Sequence, residues 1–92
     1  MAKTRVPTVV TGFPSLAKAV TPSDSEPLRD YEGNARAMTI YVGTGGTVSV
    51  VPIGGDTSQY VSFVVPDGGL VPVECRYVRS TGTDATNMVG LF

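Results

Sequence analysis

The 92-residue chain predicts an all-β fold, a small antiparallel β-sandwich or jelly-roll-like barrel of about six strands with an extended N-terminal arm. Three observations predict it. Fifteen Val and eleven Thr dominate the composition, and β-branched side chains, stiff at χ1, pack well on a pleated surface and are mediocre in helices. From Ala37 onward apolar and polar residues alternate with period two. Turns rich in Gly, Asp and Pro punctuate these alternations every 8–12 residues or so, without room for crossover helices.

Residues 1–13 show no turn-bounded alternation and read as the arm, ahead of a single domain over 14–92. Ser15-Leu16-Ala17-Lys18-Ala19 is helix-like in composition, but Gly12 and Pro14 before it and Val20-Thr21-Pro22 after it leave space for a turn or two of helix at most. A strand over Leu16 to Val20 is the better reading. Residues 21–35 form a long polar connection, with Asp24, Glu26, Asp30 and Glu32 against Arg29.

Ala37 to Val42 places Met38, Ile40 and Val42 on one face and Thr39 and Tyr41 on the other. Gly43-Thr44-Gly45-Gly46 tolerates positive φ, and Thr47 to Ile53 then resumes the alternation, which reads as a hairpin. Pro52 lacks an N–H, so this strand ends there or lies at an edge. After Gly54-Gly55-Asp56, Tyr60 to Val65 sets Val61, Phe63 and Val65 on one face. Pro66-Asp67-Gly68-Gly69 is the clearest turn. Val71 to Arg79 follows, with Val71, Val73, Cys75 and Tyr77 inward and Pro72, Glu74 and Arg76 outward. Ser80 to Asp84 reverses the chain, and Thr86 to Phe92 is the last strand.

Composition excludes whole classes of chemistry. There is no His, no Trp and one Cys, so no imidazole base, no Ser-His or Cys-His pair and no His metal ligand can be built within one chain. A net charge of −1 argues against a nucleic-acid partner, which ordinarily meets a clear basic excess. No apolar run approaches the ~20 residues that span a bilayer, and no apolar core of a secretory signal follows Met1-Ala2-Lys3-Thr4-Arg5. One unpaired Cys fits synthesis in a reducing cytoplasm.

Each remaining candidate has a structural explanation. Thr44-Gly45-Gly46-Thr47 is glycine-rich, but a phosphate loop needs a following helix and here a strand follows. The hydroxyls and carboxylates of Thr21 to Pro27 are oxygen ligands for a hard cation, yet turn-closing Asp and Ser side chains explain them better. Asp56, Asp67 and Asp84 sit beside Gly in turns. Cys75 falls on an apolar face, where it acts as a small hydrophobe. Glu74 and Arg76 share a face and are placed for an ion pair. Catalytic, cofactor and metal residues are therefore expected to be absent.

Several stretches, taken in order, carry a resemblance: Ala19 to Ser25, then Ala35-Arg36-Ala37 leading to Ile40-Tyr41-Val42-Gly43 and Val48-Ser49-Val50-Val51, then Gly68 to Val73, Val78, Ser80 to Thr86 and the terminal Leu91-Phe92. This order, over residues 19–92, resembles the small head spike-base or capsid decoration proteins of tailed bacteriophages and gene transfer agents. The resemblance implies a β-sandwich or jelly-roll module without catalysis, a symmetric homo-oligomer (trimer or pentamer) made in the host cytoplasm and bound to the capsid exterior. The major capsid protein is the implied partner, with a head fibre protein as a further one. The arm has no matching stretch, and its Lys3, Arg5, Val6, Val9 and Val10 are the residues expected to touch the partner. The competing expectation is a carbohydrate-binding or host-adhesion module of a tail or fibre, which requires an exposed cluster of two or more of Tyr31, Tyr41 and Tyr60.

Overall fold

The structure, a computed structural model, describes residues 14–92. The arm residues Lys3, Arg5, Val6, Val9 and Val10 lie outside the described residues. Seven strands follow one another: β1 (Ala17–Ala19), β2 (Thr39–Thr44), β3 (Gly46–Pro52), β4 (Val61–Val65), β5 (Gly69–Leu70), β6 (Cys75–Val78) and β7 (Thr86–Leu91). They form two antiparallel sheets, β1-β7-β2-β5 and β4-β3-β6. The all-β sandwich expected from the alternation is the observed architecture.

The alternation finds the core face of β2 and β3, but it misplaces Tyr77, where the irregular pairing at Val51/Pro52 buries Val78 instead, and Val61, which is exposed at the start of β4. Met38, Ile40 and Val42 are buried while Tyr41 is exposed on the opposite side of β2. Val48 and Val50 of β3, Val65 of β4, Val71, Cys75, Val78 and Met88 meet them between the sheets. Fully burying a Val or Ile contributes about 1.5–3 kcal/mol relative to leaving it exposed, so this layer supplies most of the drive to fold.

Two readings need correction. β2 and β3 are not a hairpin: they belong to different sheets, and Gly45 carries the chain from one to the other. A Cβ at Gly45 would lie 2.6 Å from the Val65 carbonyl oxygen, so the crossing is feasible only without a side chain. The Gly45 N–H donates to Asp67 Oδ1 (2.5 Å) and the Thr47 N–H to Asp84 Oδ1 (2.6 Å), which fixes the corner from both sides. Local spacing cannot separate a hairpin from such a corner, because both need glycines between two alternating runs.

The second correction concerns the strand expected over Val71 to Arg79. Residues 69–78 instead pass from one sheet to the other. Gly69 and Leu70 pair with Val42 and Tyr41, the Val71 N–H donates to the Ile40 carbonyl, and Cys75 exchanges both backbone bonds with Met38. From Cys75 the chain then pairs with β3, with an irregularity at Val51/Pro52. Pro72 has no N–H to give a ladder, and the chain bends around it. The result joins the sheets into one rolled ladder, β1-β7-β2-β5/β6-β3-β4, whose two ends are β1 and β4. β3 stops at Pro52, as its missing N–H implied, but as a central strand and not an edge.

β3 is also buried on both faces. Ser49 and Val51 point away from the core cluster yet are 1% exposed. Beside them the Arg79 N–H donates to the Ser49 carbonyl, Thr83 Oγ1 accepts from the Ser49 N–H, and the Arg79 guanidinium lies 3.8 Å above the Tyr60 ring. The 79–84 turn thus closes over the outer face of β3.

The connection over 21–35 is more ordered than its polarity suggested. Leu28 is buried, its N–H donates to the Arg76 carbonyl, and the Ser23 N–H donates to the Val78 carbonyl. The outer edge of β6 is therefore covered by the protein's own backbone.

Candidate interaction surface

All five aspartates accept hydrogen bonds from backbone N–H groups. Asp56 accepts from the hydroxyl and then the N–H of Ser58, which holds its carboxyl below the ordinary 3.8. Asp30 accepts from the N–H groups of Glu32 and Asn34. Asp67 and Asp84 brace the sheet-to-sheet corner described above.

In the candidate oxygen-ligand loop, Ser23 Oγ accepts from the N–H groups of Ser25 and Glu26, and Glu26 pairs with Arg29 at 3.1 Å. Asp24 reaches across the fold: it accepts from the hydroxyl and then the N–H of Thr81, with the Arg79 guanidinium 3.9 Å away. These bonds depress its pKa, the Thr81 hydroxyl contributing most. Sequence reasoning expected a local turn closure by Asp24; a partner 57 residues away leaves no local signal. No group of three or more potential metal ligands forms among the described residues.

Cys75 is buried between Met38 and Pro52, and desolvation, with the Glu74 charge as a smaller cause, pushes its thiol up to about 12. Glu74 and Arg76 do not pair, contrary to the placement on one face. The Arg76 guanidinium instead donates to the Gly55 carbonyl, because the bend before β6 leaves Arg76 half-buried beside the 54–56 turn.

Tyr31, Tyr41 and Tyr60 are all exposed, but they are held in different places. The Tyr31 hydroxyl donates to the Ala17 carbonyl beside β1, with Lys18 over its ring. Tyr41 stands on the outer face of β2, and Tyr60 is stacked under Arg79 beside the other sheet. A shared aromatic platform is not among their described contacts.

What remains open is backbone. β4 has β3 on one side and no described strand on the other. Its sequence, Val-Ser-Phe-Val-Val, carries no charge, and Val64 is 85% exposed. An uncharged, unpaired strand beside an exposed apolar side chain is suited to protein contact.

Among solved structures, the chain is similar to one in the capsid of a native gene transfer agent (GTA) particle, computed with C5 symmetry. The match has a TM-score of 0.68 and 34% sequence identity, over 86% of this chain and 83% of the other. The chain belongs to that family of capsid-related virion structural proteins. No protein-family model and no curated protein matches it. Identity at this level over 86% of the chain carries more than the fold alone.

Proposed function

We propose that the chain is a capsid decoration or head spike-base protein, which binds the outer surface of a phage-type head as a symmetric homo-oligomer and acts without catalysis. The observation that carries this reading is the 34% identity to a chain of a gene transfer agent capsid. The physical organisation supports it. Carboxylates that an enzyme would direct into a cleft are occupied in bracing turns, while one sheet edge is left uncharged and open. A domain of this size has a limited core, and association adds buried apolar area while covering an edge.

In this reading the major capsid protein is the partner, Lys3, Arg5, Val6, Val9 and Val10 reach it, and a head fibre protein docks on the outward side. Co-sedimentation of the purified chain with particles that lack it tests the proposal. Saturable binding at a fixed number of copies per head, reduced on removal of residues 1–12, is the expected result. Failure to bind such heads, or binding to isolated tails alone, would overturn it.

A further inference from the structure

We infer that the free edge of β4 is a strand-acceptor site, filled by the Val6 to Val10 segment of a second copy of this chain. The inference deepens the homo-oligomer proposed above and rests on that reading for its biological setting.

The two edges that close the rolled ladder are unequal. β1 has three residues with Lys18 at its centre, and its flank is occupied by the 29–31 segment: Lys18 Nζ donates to the carbonyls of Arg29 and Asp30, and the Tyr31 hydroxyl to that of Ala17. β4 is five residues long. Alternate residues of an antiparallel edge strand direct their N–H and C=O groups away from the sheet, and natural edges are blunted by Lys, Pro, bulges or brevity. β4 has none of these, and its pairing with β3 runs unbroken from Gly46↔Val65 to Val50↔Val61.

The arm carries what β4 lacks. Val6-Pro7-Thr8-Val9-Val10 matches β4 in length and is rich in β-branched residues. Once added to the sheet it becomes the new edge, where Pro7 is tolerated and, lacking an N–H, discourages a further strand. Charge is complementary as well. Lys3 and Arg5 stand in a stretch without acids, β4 itself holds no basic residue, and Asp67 follows its C-terminal end, while at the other end Asp56 is already faced by Arg76.

Topology makes the link head-to-tail. The described chain starts at the β1 end of the ladder, tied there by the Ser15 and Leu16 N–H groups on the Phe92 carbonyl, and the acceptor is the β4 end. A contact between two different ends of identical copies is head-to-tail, and such contacts form a ring where the rotation between copies closes. From Pro14 to the centre of the segment at Thr8 an extended chain spans roughly 20 Å, so the acceptor edge belongs to a copy whose β4 lies within that reach.

The test uses the full-length protein free of particles. Chains carrying Val9→Cys and differently tagged chains carrying Ser62→Cys are mixed and treated with a short bis-maleimide; the buried Cys75 thiol stays unreacted. Covalent dimers containing one chain of each kind are expected. No such dimer, or in a chain bearing both substitutions only an intrachain link, would overturn the inference.

Amide exchange is the second readout. Removal of residues 1–12 is expected to speed exchange of the outward-facing amides of β4 by about tenfold or more, with β3 and β6 unchanged. Equal exchange with and without the arm would contradict strand addition. Because neither measurement involves a capsid, their failure leaves the proposed capsid binding standing, and loss of capsid binding with intact cross-linking would do the reverse.

Discussion

The two outer edges of the β4-β3-β6 sheet are treated in opposite ways. Along β6 the chain lays its own 21–35 connection: Ser23 and Leu28 donate to the Val78 and Arg76 carbonyls, Leu28 is buried, and Asp24 ties the connection to Thr81. Along β4 nothing described covers the backbone, and Val64 stands in solvent. Both edges carry the same kind of N–H and C=O groups, so the difference separates the edge that the fold completes itself from the edge that the proposed strand addition would complete. A sealed edge contributes to the stability of the single chain; an open one is free to pair with another strand.

The comparison can be broken by chemistry on the sealed side. With its thiol moved from 9.0 to about 12, Cys75 should hold a thiolate population at pH 8 about a thousandfold below that of an ordinary thiol. Labelling by an alkylating reagent should therefore proceed only through unfolding, at a rate that tracks denaturant concentration. Fast labelling under native conditions would mean that the β6 side is open.

Truncating the seal comes next. Leu28→Ala removes a buried side chain between the connection and the core and should lower unfolding free energy by about 2–4 kcal/mol, read from chemical denaturation. A change under about 0.5 kcal/mol would show that the connection merely rests on β6.

The Asp24 brace has a smaller effect and a definite pH signature. Its folded pKa lies below the ordinary 3.8, so its contribution is present above pH 4 and disappears as pH falls through the folded value. Asp24→Asn should lower the melting temperature near neutral pH and reduce the further loss that the parent chain shows below pH 4. Asp56 titrates in the same direction and sets the residual slope. An unchanged acid profile in the variant would remove Asp24 from the account. The smallest effect is expected on the open side, where Val64→Ser should change the stability of the single chain by no more than about 0.5 kcal/mol while weakening self-association measured by sedimentation.

The sequence made some of this contrast legible and hid the rest. Period-two alternation placed Met38, Ile40, Val42, Val48, Val50, Cys75 and Val65 on the core side because strand parity is a local property. Asp67 and Asp84 were readable as turn residues beside glycine, but their bonds to Gly45 and Thr47 depend on chain 22 and 37 residues away. The same limit explains the hairpin that became a corner at Gly45 and the strand that bent at Pro72. Leu28 looked like an isolated apolar residue in a polar connection; its burial follows from where β6 lies, which no local pattern encodes. The open edge of β4 was equally invisible, since alternation reports faces and not edges.

The central claim is that the chain sits on the exterior of a head with its β4 edge against a neighbouring copy. Imaging particles with and without the chain, at a resolution that traces strands, tests both halves at once. The account predicts added density on the outer capsid surface, arranged around a symmetry axis, with an extra strand continuing the sheet beyond β4. Particles identical in the two preparations, or bound copies whose β4 edges face solvent, would contradict it.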